Sequence, residues 1–203
     1  MSETSFPELF GGVACLDFAN TLDGRATAHP EEYLHSFADL VRWDEYAGLI
    51  DPATAAQLAA TVPAAADAAL RAALELRESI FQVFSAIGRG DPAPAAALAS
   101  VQSRYAGAMA AARLAPAGAG FDWQFSSAAA DHAWWPLVVS ATRLLTTGPL
   151  DRVKVCAAEA GCIGLFLDTS KNRSRRWCTM DGCGVQAKVQ RQANRRRTVR
   201  ATG

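Results

Sequence analysis

The sequence predicts a mainly α N-terminal domain with a short β element over residues 1–149, followed by a small α+β module over 150–203. Three observations carry this reading. Apolar residues recur at helical spacing through most of the first 150 positions. Four of the five cysteines fall within 28 residues near the C-terminus. The charge changes sign between the two parts: residues 151–203 hold 12 Lys or Arg against four Asp or Glu, a net +8, and the preceding 150 residues are −8. A chain of 203 residues, half of them apolar, has room for one ordinary core and a small companion.

Taken in order, residues 31–50 place Leu34, Phe37, Leu40, Val41 and Trp43 on a helical pattern. Asp51-Pro52 supplies an N-cap acid and a proline at the first helical position. Pro63 opens a long pattern through Leu70, Leu74, Arg77, Phe81 and Phe84, expected to stop at Gly88. Asp91-Pro92 opens an alanine-rich helix to about Ala112, broken by Gly118 and Gly120. Phe121 to Phe125 alternates apolar and polar, which predicts a short half-buried strand. A last helix is expected from Asp131 to Thr147, with the domain boundary between Gly148 and Arg152.

The clustered cysteines are Cys156, Cys162, Cys178 and Cys183, spaced Cys-x5-Cys, then 15 residues, then Cys-x4-Cys. Two short loops separated in this way deliver four thiolates to a tetrahedral zinc ion, and four cysteines close its shell, as in a structural rather than a catalytic site. A disulfide framework is the competing reading, but it suits small secreted chains. No leader of a signal peptide is visible, and the nearest apolar run, Leu137 to Leu145, is far short of a membrane span. The expectation is a cytoplasmic protein with one structural zinc and no membrane contact.

Around the cysteines, Ala160 to Gly164 has the glycines of a metal-binding knuckle. Leu165 to Leu167 and Arg176-Trp177 are expected to form a hairpin through the polar turn Thr169–Ser174. Helical composition follows from Cys183 to about Arg197. Knuckle, hairpin and helix in that order describe a treble-clef zinc finger. On the last helix Lys188, Arg191 and Arg195 share one face, and Arg173, Arg175 and Arg176 form a second cluster. Such cations neutralise phosphates without reading sequence, so these six are the expected nucleic-acid contacts, and DNA the expected partner. The alternative is a solvated basic tail.

Several stretches resemble a known family. Val153 to Cys156, Cys162, Phe166 to Met180 and Cys183-Gly184 resemble the CGNR zinc finger. Gly12 to Thr21 resembles the opening of the ABATE domain that precedes it. The resemblance implies a stress-induced bacterial transcription regulator. Its mostly helical N-terminal domain would take a small-molecule ligand, and its treble-clef finger would contact DNA. One departure stands out: the Cys-Gly-Asn-Arg of the family reads Cys183-Gly184-Val185-Gln186 here. The metal ligand is kept, and the Asn and Arg are gone.

In the N-terminal stretch, Asp17, Asn20 and Thr21 can line a ligand pocket with Arg25 as an anion partner. The competing reading, which is favoured, gives Asn20 and Thr21 to turns and caps and leaves Asp17 exposed. Trp43, Trp123, Trp134 and Trp135 are read as core more readily than as pocket walls. Cys15 is expected to be a small buried apolar residue. His29, His35 and His132 lack a partner at a recognisable spacing, and no nucleophile, phosphate-loop or zinc-protease motif is present. No enzyme is expected. A zinc-finger adaptor for protein or RNA is the second reading, and a small-molecule enzyme in the helical domain a weaker third.

Overall fold

The computed structural model describes residues 6–125, 129–158 and 161–201, with the side chains from 194 onward left undescribed. The N-terminal part is built from six helices and two small hairpins. In chain order these are α1 (Ala14–Ala19), β1 (Leu22–Asp23), β2 (Glu31–Glu32), α2 (Phe37–Tyr46), α3 (Pro52–Ala59), α4 (Pro63–Arg89), α5 (Ala95–Ala111), β3 (Ala112–Ala117), β4 (Gly120–Phe125) and α6 (Trp135–Thr147). The C-terminal part adds β5 (Val153–Val155), β6 (Leu165–Leu167), a π-turn at Met180–Gly184 and α7 (Val185–Ala201).

The caps follow the expected chemistry. Asp51 accepts the Thr54 amide at 2.7 Å to start α3, and Ser36 accepts the Asp39 amide at 3.1 Å to start α2. The first turns expected from residue 31 instead belong to β2, paired with β1, so α2 begins only at Phe37.

α4 is the central helix. It buries Ala69, Ala73, Leu76, Ile80, Val83 and Phe84 and packs on α1, α2, α5 and the β5–β6 pair. It does not stop at Gly88. That glycine lies within the helix because a Cβ there would meet Val155 Cγ2 at 3.1 Å and the Lys154 carbonyl carbon at 3.2 Å, so only glycine lets β5 come this close. The helix ends two residues later at Gly90, in the left-handed conformation at φ 81°.

Among the tryptophans, Trp43, Trp134 and Trp135 are core, with Phe18 and Trp43 ring centroids 5.6 Å apart. Trp123 stays 42% exposed, and β4, expected to be half-buried, is exposed along most of its length. Cys15 is wholly buried, and burial pushes its thiol up to about 12.

The β5–β6 pair is continuous with this core: Val153 and Leu165 belong to the same buried cluster as Leu16, Leu76 and Leu137. The outer edge of β6 is closed by the N-terminal part. Asn20 Nδ2 donates to the Leu165 carbonyl at 2.9 Å, and the Leu165 amide donates to Asn20 Oδ1 at 2.8 Å. The Leu167 amide donates to the Gly11 carbonyl at 2.8 Å. Asn20 thus acts as one residue of a neighbouring strand, leaving no open edge there.

Candidate metal centre and basic surface

The four C-terminal cysteines converge. Cys156 follows directly on β5, Cys162 closes the knuckle, Cys178 ends the following loop, and Cys183 lies in the π-turn before α7. All four sulfurs lie within 4.8 Å of one another. The Cys162–Cys178 separation is 3.6 Å and the Cys178–Cys183 separation 3.5 Å. A tetrahedron with zinc–sulfur bonds of 2.3 Å has sulfur–sulfur edges of about 3.8 Å, whereas a disulfide is about 2.05 Å. The quartet therefore has the dimensions of a metal site, and all four cysteines are free of disulfides.

The donor set suits a cation. Cys156 is pulled well below its ordinary range, first by hydrogen bonds from Cys162 and Cys178 and then by the Cys178 amide. Those neighbours are pushed upward by the same contacts. Without a metal, ionising one thiol holds protons on the others. Zinc held by Cys156, Cys162, Cys178 and Cys183 would remove that conflict by stabilising all four thiolates, and its binding free energy would then be folding free energy.

The knuckle is shaped by glycine. Gly161 has φ 87°, and a Cβ there would approach Thr27 Cγ2 to 2.9 Å. The hairpin around it differs from the expected one. Leu165–Leu167 pairs antiparallel with Val153–Val155, in the register Val153 with Leu167 and Val155 with Leu165, and not with residues 176–177. Asp168 gives the physical reason. Its wholly buried carboxylate accepts Ser170 N at 2.9 Å, Ser170 Oγ at 2.6 Å, Arg175 N at 3.0 Å and Lys154 Nζ at 2.6 Å, which holds the following loop as an irregular turn. Burial opposes its charge, but these bonds outweigh burial and keep the carboxyl well below its usual value.

The expected nucleic-acid residues separate into three groups. Arg175 is turned inward: its Nε donates to the Trp177 carbonyl at 3.0 Å, its guanidinium also meets the Cys178 carbonyl, and it lies 4.5 Å over the Phe166 ring. It braces the metal loop. Arg173 is exposed but ion-paired with Asp151. Arg176, Lys188 and Arg191 are exposed. The guanidinium of Arg176 lies 5.4 Å from the Trp177 ring centroid and that of Arg191 5.6 Å, so cations from the loop and from α7 meet on one aromatic patch. Arg195 lies on α7, outside the described side chains. Sequence reasoning missed Trp177, although an aromatic residue between a basic residue and a metal ligand was the visible signal.

The four residues of the expected ligand pocket are engaged within the protein. Asp17 is buried rather than exposed, because its carboxylate accepts the Gly11 amide at 2.6 Å, and burial raises it to about 6. Asn20 binds Leu165, as described. Thr21 Oγ1 donates to the Phe18 carbonyl at 2.8 Å and accepts from Arg77 Nη1 at 3.1 Å. Arg25 forms a two-point ion pair with Glu78, at 2.6 and 3.0 Å, and covers the Phe81 ring at 4.1 Å. Thr21 and Arg25 belong to a network centred on Arg77, which is nearly buried and pairs with Glu32 at 2.6 Å. The space beside Asn20 and Arg25 is only about 10 Å3, too small for an organic ligand.

The fold and the sulfur quartet define a helical domain joined to a four-cysteine zinc finger. Residues 12–148 match the ABATE family, described as "Putative stress-induced transcription regulator", and residues 152–196 match the CGNR zinc finger. The chain belongs to the ABATE family and carries a C-terminal CGNR zinc finger. No curated relative matches it. Val185 and Gln186, which stand where the finger's name has Asn and Arg, are the first two residues of α7, and both are exposed.

Proposed function

We propose that this protein is a ligand-responsive bacterial transcription regulator of the cytoplasm, whose zinc finger contacts DNA and whose helical domain senses a small molecule. It is read here as a binding protein rather than an enzyme. The observation that carries the reading is the patch on which Arg176 and Arg191, from separate elements, flank Trp177 beside exposed Lys188. Zinc fixes the loop that carries Arg176 and the turn that launches α7, so the metal holds the cations at one spacing. Charges held in place lose less freedom on meeting a phosphate backbone than charges on a loose tail. The family description and the +8 balance of residues 151–203 support the same partner.

The experiment is a selection of genomic fragments on zinc-loaded protein, followed by competition between the recovered sequence and random duplex. A regulator discriminates by about 10³-fold or more. Equal affinity for both would make the protein a general polyanion binder. A second reading, a protein-binding adaptor, draws on apolar surface at the same end: Met180, Val185 and Val189 are 63, 50 and 59% exposed, and Val185 and Val189 are one helical turn apart. Val185→Ser with Val189→Ser would abolish partner capture under the adaptor reading and leave DNA affinity nearly unchanged under the regulator reading.

A further inference from the structure

A cleft of about 1000 Å3 opens on the helical domain, away from the four residues that the sequence suggested for a ligand. Its floor is one face of α6, where Pro136, Val139, Ser140, Arg143 and Thr147 recur at helical spacing. Trp123 and Phe125 of β4 form a wall. Phe125 is anchored at the base, 5.5 Å from the Trp135 ring, while Trp123 keeps 42% of its surface free.

The polar groups around the cleft differ in availability. Asp51 caps α3, Asp122 accepts the Trp123 amide at 2.8 Å, and Ser140 Oγ accepts the Cys15 amide at 3.2 Å. His132 lies stacked against Trp135. Arg143 is exposed and has no ion pair among the described residues. A cation in the same lining as aromatic and aliphatic side chains suits an anion with a flat apolar body, and the volume is in the range of pockets that enclose small organic molecules.

We propose that this cleft binds a small aryl carboxylate, with its carboxylate on the Arg143 guanidinium and its ring against Trp123. This rests on the reading of the helical domain as a sensor and names that sensor's site. The lining of the cleft is shared with the finger. Gly12 and Leu167 line it, and Leu167 is the last residue of β6, tied to Gly11 through its amide. A ligand in contact with Leu167 touches the helical domain and the zinc hairpin together. Occupancy of the cleft favours whichever packing of the two fits the ligand better.

The test uses the zinc-loaded full chain without DNA, so its outcome is independent of whether the finger binds DNA. Naphthalene-2-carboxylate is titrated by calorimetry, with naphthalene-2-carboxamide as the uncharged control and Arg143→Gln as the variant. Arg143 is exposed, so the replacement leaves the fold intact, which circular dichroism verifies. The expected result is saturable binding of the acid with Kd below about 1 mM, weakened about tenfold or more by Arg143→Gln and likewise for the amide on the unmodified protein. Two results overturn the proposal: no saturable binding of naphthalene-2-carboxylate, indole-3-acetate or benzoate up to about 10 mM, or equal binding of acid and amide.

Discussion

Replacing Asn20 by Ala removes two of the three hydrogen bonds that close the outer edge of β6, leaving only that between the Leu167 amide and the Gly11 carbonyl. Leu165 is wholly buried, so neither its amide nor its carbonyl gains water in exchange. Each orphaned buried backbone group costs about 1–3 kcal/mol, and the pair about 2–5 kcal/mol. For a domain of this size each kcal/mol lowers Tm by about 2–4 °C, so the variant should melt about 4–20 °C below the unmodified protein. Asn20→Asp separates geometry from volume. It keeps an acceptor for the Leu165 amide but sets a second acceptor against the Leu165 carbonyl, and should be no more stable than the alanine variant. The assay is differential scanning calorimetry on zinc-loaded protein at fixed metal concentration. A Tm within about 2 °C of the original for Asn20→Ala would refute the reasoning.

Three further outcomes follow from other parts of the molecule. Cys178→Ser should lose stoichiometric zinc and melt the finger, and because Val153 and Leu165 share the main core it should also lower the Tm of the helical part; limited proteolysis and metal analysis check both effects, and an unchanged helical Tm would contradict the shared core. Gly88→Ala should destabilise by about 1–3 kcal/mol through contact with β5, whereas Gly107→Ala, in open space on α5, should stabilise by about 0.5–1 kcal/mol; urea unfolding of the pair tests the opposite signs. Asp17 is raised to about 6 by burial, so the folded state holds its proton more tightly than the unfolded one; its contribution is full below about pH 4 and is lost as pH rises toward 6. Asp17→Asn should flatten that part of the stability profile, and an unchanged pH profile would show that Asp17 is already ionised there.

The metal site was legible because ligand chemistry is local: two cysteine pairs at short spacing name their partner before any fold is known. The charge division was legible for the same reason. The pairing of β6 was not, because its edge partners, Asn20 and Gly11, lie about 150 residues away and its loop is held by Asp168, whose bonds reach forward to Arg175 and back to Lys154. β3 was missed because Ala112 to Ala117 is alanine-rich, carries Pro116 and lacks a strand's alternation; it becomes a strand only by pairing with β4 across Gly118, at φ 57°. Thr21 and Arg25 were polar residues without evident local purpose. Their partners, Arg77 and Glu78, lie on α4 more than fifty positions away. Arg143 and Trp123 carried no signal of their own, since a cleft is a property of the packing.

In the proposed function, Arg176 and Arg191 beside Trp177 meet a phosphate backbone, and the salt dependence of duplex DNA affinity tests that contact. Each neutralised phosphate contributes a slope of about −0.9 in log affinity against log salt. The zinc-loaded protein should show a slope of about −3 or steeper, counting at least Arg176, Lys188 and Arg191, and Arg176→Ala with Arg191→Ala should flatten it by about two units while weakening all sequences together. An affinity that does not change with salt, or a double variant with the original slope, would rule out phosphate contact by this patch.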